Sequence, residues 1–313
     1  MSNNAQIETL TPGQLDVSKD YVPLTLSRVL SDYLQLTKPR IVLMIVLTVI
    51  VAMVAVPGAQ ITVWLSLHTM IGAALVAASA SVLNQCIERD LDAVMPRTAN
   101  RPLPSGRLTN FEATIFGMLL VVVGFAQLWY FATPASAVVS LVTWASYLFL
   151  YTPMKTRTWL NTAVGTIPGA LPVMIGWTAA GGGLTDIQGW LLTLVVVVWQ
   201  FPHFMAIAWL YKDQYELAGY KMITNVEPSG LVAAWHAIIG SIALVPLSIL
   251  VLQPQTPVSW LIALLGSLLC ISQMMASIRF FKSRDRVTAR SLLRHSLLYL
   301  PGILILVTIR SLL

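Results

Sequence analysis

The chain has 313 residues, 57% of them hydrophobic and 10% charged, with a mean hydropathy of +0.76 and a formal net charge of +6. That composition lies outside the range of soluble globular domains and points to a protein that takes lipid as its solvent. The basic excess resolves into a topology signal rather than a nucleic-acid-binding surface, and two cysteines, Cys86 and Cys270, supply no disulfide framework.

Residues 1–36 read as a cytoplasmic tail and interfacial segment. The first stretch is polar and lacks the apolar run of a signal peptide, and an interfacial helix is predicted around "PLTLSRVLSDYLQLTKPR". Residues 37–313 read as one transmembrane domain. A helix needs about 20 mostly apolar residues to cross the hydrocarbon core. Nine such stretches succeed one another, near 40–57, 63–87, 111–131, 134–151, 160–179, 188–211, 230–252, 257–278 and 292–311. In lipid each backbone amide has to be satisfied within its own segment, so each stretch is predicted as a helix. The predicted fold class is all-α, a polytopic bundle of nine transmembrane helices.

The cations then orient the bundle. Eighteen of the 19 Lys and Arg residues fall before the first span or in the 2–3, 4–5, 6–7 and 8–9 loops, and only Arg310 falls on the other side. By the positive-inside rule the crowded side is the cytoplasm, with the N-terminus inside and the C-terminus outside.

The densest chemistry follows the second span, in "NQCIERDLDAVMPRTANRPLPSG". If that helix continues beyond the membrane, Asn84, Glu88 and Asp92 are spaced i, i+4, i+8 and share one face. Three oxygen ligands on one face suit a hard cation such as Mg²⁺, which completes its shell with phosphate oxygens. Arg89, Arg97, Arg101 and Arg107 follow, and arginine grips phosphate bidentately. The same pattern also describes a solvated helix with internal ion pairs, and spacing alone does not separate the two.

Two more loops on the same side carry charge. "YTPMKTRTWLN" holds Tyr151, Lys155, Arg157 and Asn161, and "WLYKDQYELAGYKM" holds Lys212, Asp213, Tyr215, Glu216 and Lys221. An orientation signal needs Lys and Arg but no acids, so the gathering of acids on this side favours a site. Aromatic faces at Tyr147, Tyr151 or Tyr215 could stabilise a cation there. Intramembrane ionisable residues are functional candidates in their own right. His203, His236 and His295 fall in the cytoplasmic half of their spans and His68 near the outer surface. The run "GTIPGALPVMIGW" in the fifth span reads either as close small-residue packing with kinks or as room for a long apolar chain.

"NQCIERDLDAVMPRTANRPLPSGRL", "YTPMKTRTWLNTAVGTIPGALPVMIGW" and "WQFPHFMAIAWLYKDQYELAGYKM" resemble the three signature regions of the UbiA superfamily of membrane prenyltransferases. The "QFPHF" run at Gln200 to Phe204 resembles the branch that farnesylates haem. The resemblance extends from about Thr37 to the end. It implies that Asn84, Glu88 and Asp92 form a first metal motif, that Asp213 belongs to a second, and that Lys155, Arg97 and Arg101 hold a diphosphate. Arg89, Arg157, Tyr151, Asn161, Tyr215 and His203 are the further candidates for substrate contact, His203 toward the haem. Glu88 stands where the superfamily more often has Asp, and Gln214 where an acid often precedes the tyrosine. The resemblance further implies Mg²⁺ as cofactor, farnesyl diphosphate and haem B as substrates and a bacterial cytoplasmic (inner) membrane location. Partners it implies are a haem A synthase or terminal oxidase assembly proteins. A quinone precursor or another tetrapyrrole is the alternative acceptor. A transporter would place ionisable groups near the midplane or on both sides, which this chain does not do.

Overall fold

A computed structural model describes residues 25–313, so the predicted tail and the start of the interfacial segment lie outside the described residues. Among the described residues every element is helical. In chain order these are α1 (Leu26–Leu36), α2 (Pro39–Val54), α3 (Val63–Ile87), α4 (Arg89–Val94), α5 (Asn110–Phe131) and α6 (Pro134–Ala145). A π-helical turn, Ser146–Tyr151, leads to α7 (Thr152–Met154), and then come α8 (Asn161–Ala170), α9 (Pro172–Ala179), α10 (Ile187–Leu210) and α11 (Lys212–Leu217). The chain closes with α12 (Ile223–Val226), α13 (Leu231–Leu252), α14 (Pro257–Ser283) and α15 (Arg286–Ser311).

Seven uninterrupted stretches are long and apolar enough to cross a membrane: α3, α5, α6 through α7, α10, α13, α14 and α15. The bent pair α1 and α2 raises the number to eight, with 50° between its halves. Two of the nine predicted spans therefore depart from a single long helix. The first is reduced to the 16 residues of α2. Its start is forced at Lys38, which takes a left-handed backbone (φ 52°) directly before Pro39. A residue before proline is pushed out of the right-handed helical region, so α1 cannot run straight into α2. The predicted fifth span is split at Leu171, because Pro172 lacks the amide that would continue α8.

Helix starts are set locally. Thr109 with Glu112, Thr133 with Ser136, Thr256 with Ser259 and Asp285 with Thr288 form reciprocal capping boxes at α5, α6, α14 and α15. Packing then follows two groups. In the first, α3 lies against α5 and α2 against α9, around Val49, Met53, Leu128, Met174 and Trp177. In the second, α10, α13, α14 and α15 enclose Leu192, Val196, Leu244, Tyr299 and Ile303. Small residues let backbones approach: a Cβ at Gly124 of α5 would lie 2.9 Å from the Gly72 carbonyl of α3. Outward apolar residues such as Leu119 and Val122 on α5 and Leu261 and Leu265 on α14 stay exposed, as a lipid-facing surface requires. On α1 the exposed stripe is Leu26, Leu30 and Leu34, while Asp32 and Leu36 are buried, which is the amphipathic pattern expected of the interfacial segment.

Candidate active site

A cavity of about 290 Å³ opens among the ends of α2, α3, α8 and α10, the π-helical turn and the segments that follow α3 and α10. It is lined by Lys38, Asn84, Glu88, Asp92, Arg97, Arg101, Tyr147, Tyr151, Lys155, Thr162, Phe204, Tyr215, Tyr220 and Met222, among others. Asn84 sits in the last turn of α3, and Glu88 is not inside a continuous helix: it is the residue between α3 and α4, with φ −95° and ψ 9°. Asp92 nevertheless stays in register, because α4 restarts at once and the Asp92 amide still reaches the Glu88 carbonyl at 2.7 Å. All three side chains are buried, with residue exposures of 1%, 5% and 1%. The i, i+4, i+8 spacing thus survives a break in the helix that carries it.

Each acid already has a cation. Lys155 Nζ donates to Glu88 Oε1 at 2.8 Å, and Arg101 Nη1 donates to Asp92 Oδ2 at 2.7 Å. Asn84 Nδ2 donates to Glu88 Oε2 at 2.7 Å, and the Thr152 hydroxyl donates to Asn84 Oδ1 at 2.9 Å. Burial would push the Glu88 carboxyl up, but Lys155 and the Asn84 amide together hold it below its ordinary value. Burial likewise opposes the Lys155 charge, and Tyr151 and Glu88 outweigh it, keeping Lys155 well above its usual value. The Tyr220 phenol is pushed up by burial and by the adjoining Glu88 carboxylate, so it stays protonated.

The remaining cations face the same space. Arg97 lies with its guanidinium 4.7 Å from the centre of the Tyr211 ring, and Lys155 Nζ lies 4.7 Å from that of Tyr151. Lys38, at the left-handed bend before α2, has no ion pair among the described residues. The cavity therefore carries four cations against two acids, a balance suited to a ligand with several negative charges.

Other sequence candidates fall elsewhere. Arg89, Arg157 and Asp213 are exposed and do not line the cavity. Asn161 is fully buried, but its amide donates to the Thr158 and Lys221 carbonyls at 2.7 and 3.0 Å. It thereby ties the Lys155 loop to the α11–α12 loop, which the Lys221 amide also joins through the Lys155 carbonyl. His203 lies on the face of α10 turned toward α15, where Nδ1 meets Ser296 Oγ at 2.9 Å and the ring stacks on Trp199. The α10 side chains that reach the cavity are Phe204, Ile207 and Ala208. His236 and His295 bond to carbonyls of their own helices, and His68 packs with Gln127, Trp64 and Phe131. Sequence reasoning missed Lys38, Tyr220, Thr152 and Thr162. Thr152, Thr162 and Tyr220 stand inside the quoted signature regions without having been singled out, and Lys38 lies just before a proline outside them.

A metal ion would find hard oxygen donors here. Among the described residues no three His, Cys, Asp or Glu side chains surround a common point. The donor set is two carboxylates, Glu88 and Asp92, with the Asn84 amide oxygen beside them, and that chemistry fits Mg²⁺, which asks for few protein ligands when phosphate supplies the rest. Asp213 is exposed and does not line the cavity with them.

Residues 45–298 match the UbiA prenyltransferase family. The chain is 44% identical over 285 residues to a protoheme IX farnesyltransferase of Rhodopirellula baltica, covering 89% of this chain and 99% of that protein. It is also 44% identical over 282 residues to a protoheme IX farnesyltransferase of Solibacter usitatus, covering 86% and 95%. The fold superposes on a UbiA homologue from Archaeoglobus fulgidus, solved with DMAPP and Mg²⁺, with a TM-score of 0.65 at 16% identity over 89% of this chain and 99% of that one.

Proposed function

This chain belongs to the UbiA prenyltransferase family, and from that membership we propose that it transfers the farnesyl group of farnesyl diphosphate to haem B, giving haem O. The observation that carries the reading is the cavity in which Asn84, Glu88 and Asp92 meet Lys155, Arg97, Arg101 and Lys38. An allylic diphosphate leaves as its C1–O bond breaks, and the cost is the charge left on the leaving group. Mg²⁺ held by Asn84, Glu88 and Asp92 would neutralise part of that charge as a Lewis acid. Lys155, Arg101 and Arg97 supply the rest without giving up a proton. Lys38, its pKa brought down to about 8 by burial and by the neighbouring Arg101, adds its charge below that pH. Tyr147, Tyr151 and Tyr215 line the same cavity and offer aromatic rings to the allylic cation. The allylic carbon then bonds to the terminal carbon of a haem vinyl group. Water adds to the cation formed beside the ring and loses a proton, leaving the hydroxyethylfarnesyl product and diphosphate.

Nine crossings of a bacterial inner membrane, with the cavity at the cytoplasmic end, are part of the same proposal. They rest on the one-sided distribution of Lys and Arg and on the bent and split helices counted as crossings. Incubating purified protein in detergent with haem B, farnesyl diphosphate and Mg²⁺, then weighing the porphyrin, tests the chemistry. A gain of one farnesyl group and one water supports it. An unchanged porphyrin, together with prenylation of a hydroxybenzoate supplied in a parallel incubation, moves the acceptor to a quinone precursor.

A further inference from the structure

Between α4 and α5 the chain runs from Met95 to Thr109 as successive turns without a helix, yet it carries Arg97 and Arg101 into the cavity. Something has to hold so irregular a segment in place. Arg107, which does not line the cavity, makes the connections. Its Nε donates to both Asp32 carboxylate oxygens, at 3.0 and 3.1 Å, across 75 positions of sequence. One Nη donates to Ser105 Oγ at 2.7 Å and the other to the Asn100 carbonyl at 3.1 Å. A single guanidinium thus spans the loop and fixes it to α1. Asp32 is 7% exposed, on the face of α1 opposite the leucine stripe.

Apolar contacts run alongside. Leu36 of α1 is buried with Leu103 and Leu108 of the loop and Val82 of α3, and the Gln85 amide donates to the Leu36 carbonyl at 2.8 Å. Within the loop, the Thr98 hydroxyl donates to the Asp92 carbonyl at 2.8 Å and Arg101 holds the Asp92 carboxylate. The path is therefore continuous: α1, Asp32, Arg107, the loop, Arg101, Asp92.

We propose that the Asp32–Arg107 pair is a latch through which α1 holds the arginine loop over the cavity, making both residues positioning residues for recognition of the substrate's diphosphate. This rests on the prenyltransferase reading of the site. Loss of the latch frees Arg97 and Arg101 from their common frame, and misplacement of that kind raises KM for the diphosphate substrate while kcat falls less. Because the two residues act as one unit, their effects do not add.

The test uses the full-length protein with Asp32→Asn, Arg107→Gln and the double variant, with Arg107→Lys as the milder change. Two readouts are taken: binding of farnesyl diphosphate with Mg²⁺, and hydrogen exchange of peptides covering 95–108 without ligand. Each single variant is expected to weaken binding by roughly ten- to a hundredfold, to speed exchange of that loop, and to leave the α13–α15 peptides protected. The double variant should be no worse than the worse single one. Fully additive effects, or unchanged exchange in the loop, overturn the latch. If the unaltered protein itself fails to bind farnesyl diphosphate, the functional reading has failed; binding by the unaltered protein that the variants retain in full sinks the latch alone.

Discussion

Asp92 is buried, stands in a six-residue helix and is bonded to Arg101. Asp92→Ala removes one hard-oxygen ligand and leaves Arg101 without its partner. Turnover should fall by about a hundredfold or more, while the protein still inserts and purifies as before. Full activity of that variant, measured by porphyrin mass, would remove Asp92 from the metal site. Glu88 gives a pH expectation with a definite sign. Its carboxyl is held below its ordinary value in the folded protein, so its contribution is present above the unfolded pKa and is lost as pH falls through the folded one. Thermal stability should therefore decline below about pH 4. In the Lys155→Met variant burial pushes Glu88 up unopposed by the lysine, and the dependence should reverse, with stability rising as pH falls. At neutral pH the same variant leaves a buried carboxylate unpaired and should be less stable by about 3–5 kcal/mol.

Among the elements, α8 shows what its glycines are for. A Cβ at Gly165 would sit 2.5 Å from the ring of Tyr151, which lines the cavity, and one at Gly169 would collide with the Gln200 side chain. The split, glycine-bearing segment is therefore tightly packed, and at Gly165 that packing also sets an edge of the site. Gly165→Ala should displace Tyr151, lowering turnover more than thermal stability; a variant with unchanged kcat would show that the ring position is immaterial. At Gly124 of α5, where the opposing atom is a backbone oxygen, Gly124→Leu should instead destabilise the fold by about 1–3 kcal/mol, read as a lower unfolding temperature.

At the scale of the molecule, orientation is the open expectation. With Cys86 and Cys270 replaced by alanine, Gln60→Cys should react with an impermeant thiol reagent only from the outer side and Ser283→Cys only from the cytoplasmic side. The reverse pattern would invert the topology. Much of this architecture was legible in the sequence because hydropathy and charge act over whole segments, and the central triad was legible because helical spacing repeats. The split of α8 from α9 falls at Pro172, in the run already read as kinked, whereas the break at Glu88 depends on local backbone angles that composition does not record. The isolation of Asp213 and the turn of His203 toward Ser296 depend on which way a helix face points after packing. Lys38 and Tyr220 belong to the cavity only because distant segments meet there.

The π-helical turn at Ser146–Tyr151 bears on how this meeting is kept in phase. Such a turn holds one more residue than an α-helical one, and here it precedes Thr152 and Lys155, the partners of Asn84 and Glu88. Were α6 to run on with one residue fewer, everything after it would swing by about 100° around the axis, carrying the lysine away from its carboxylate. The alignment of two loops is thus a matter of counting: a single surplus residue, wound into the helix, dials one wall of the cavity to face the other.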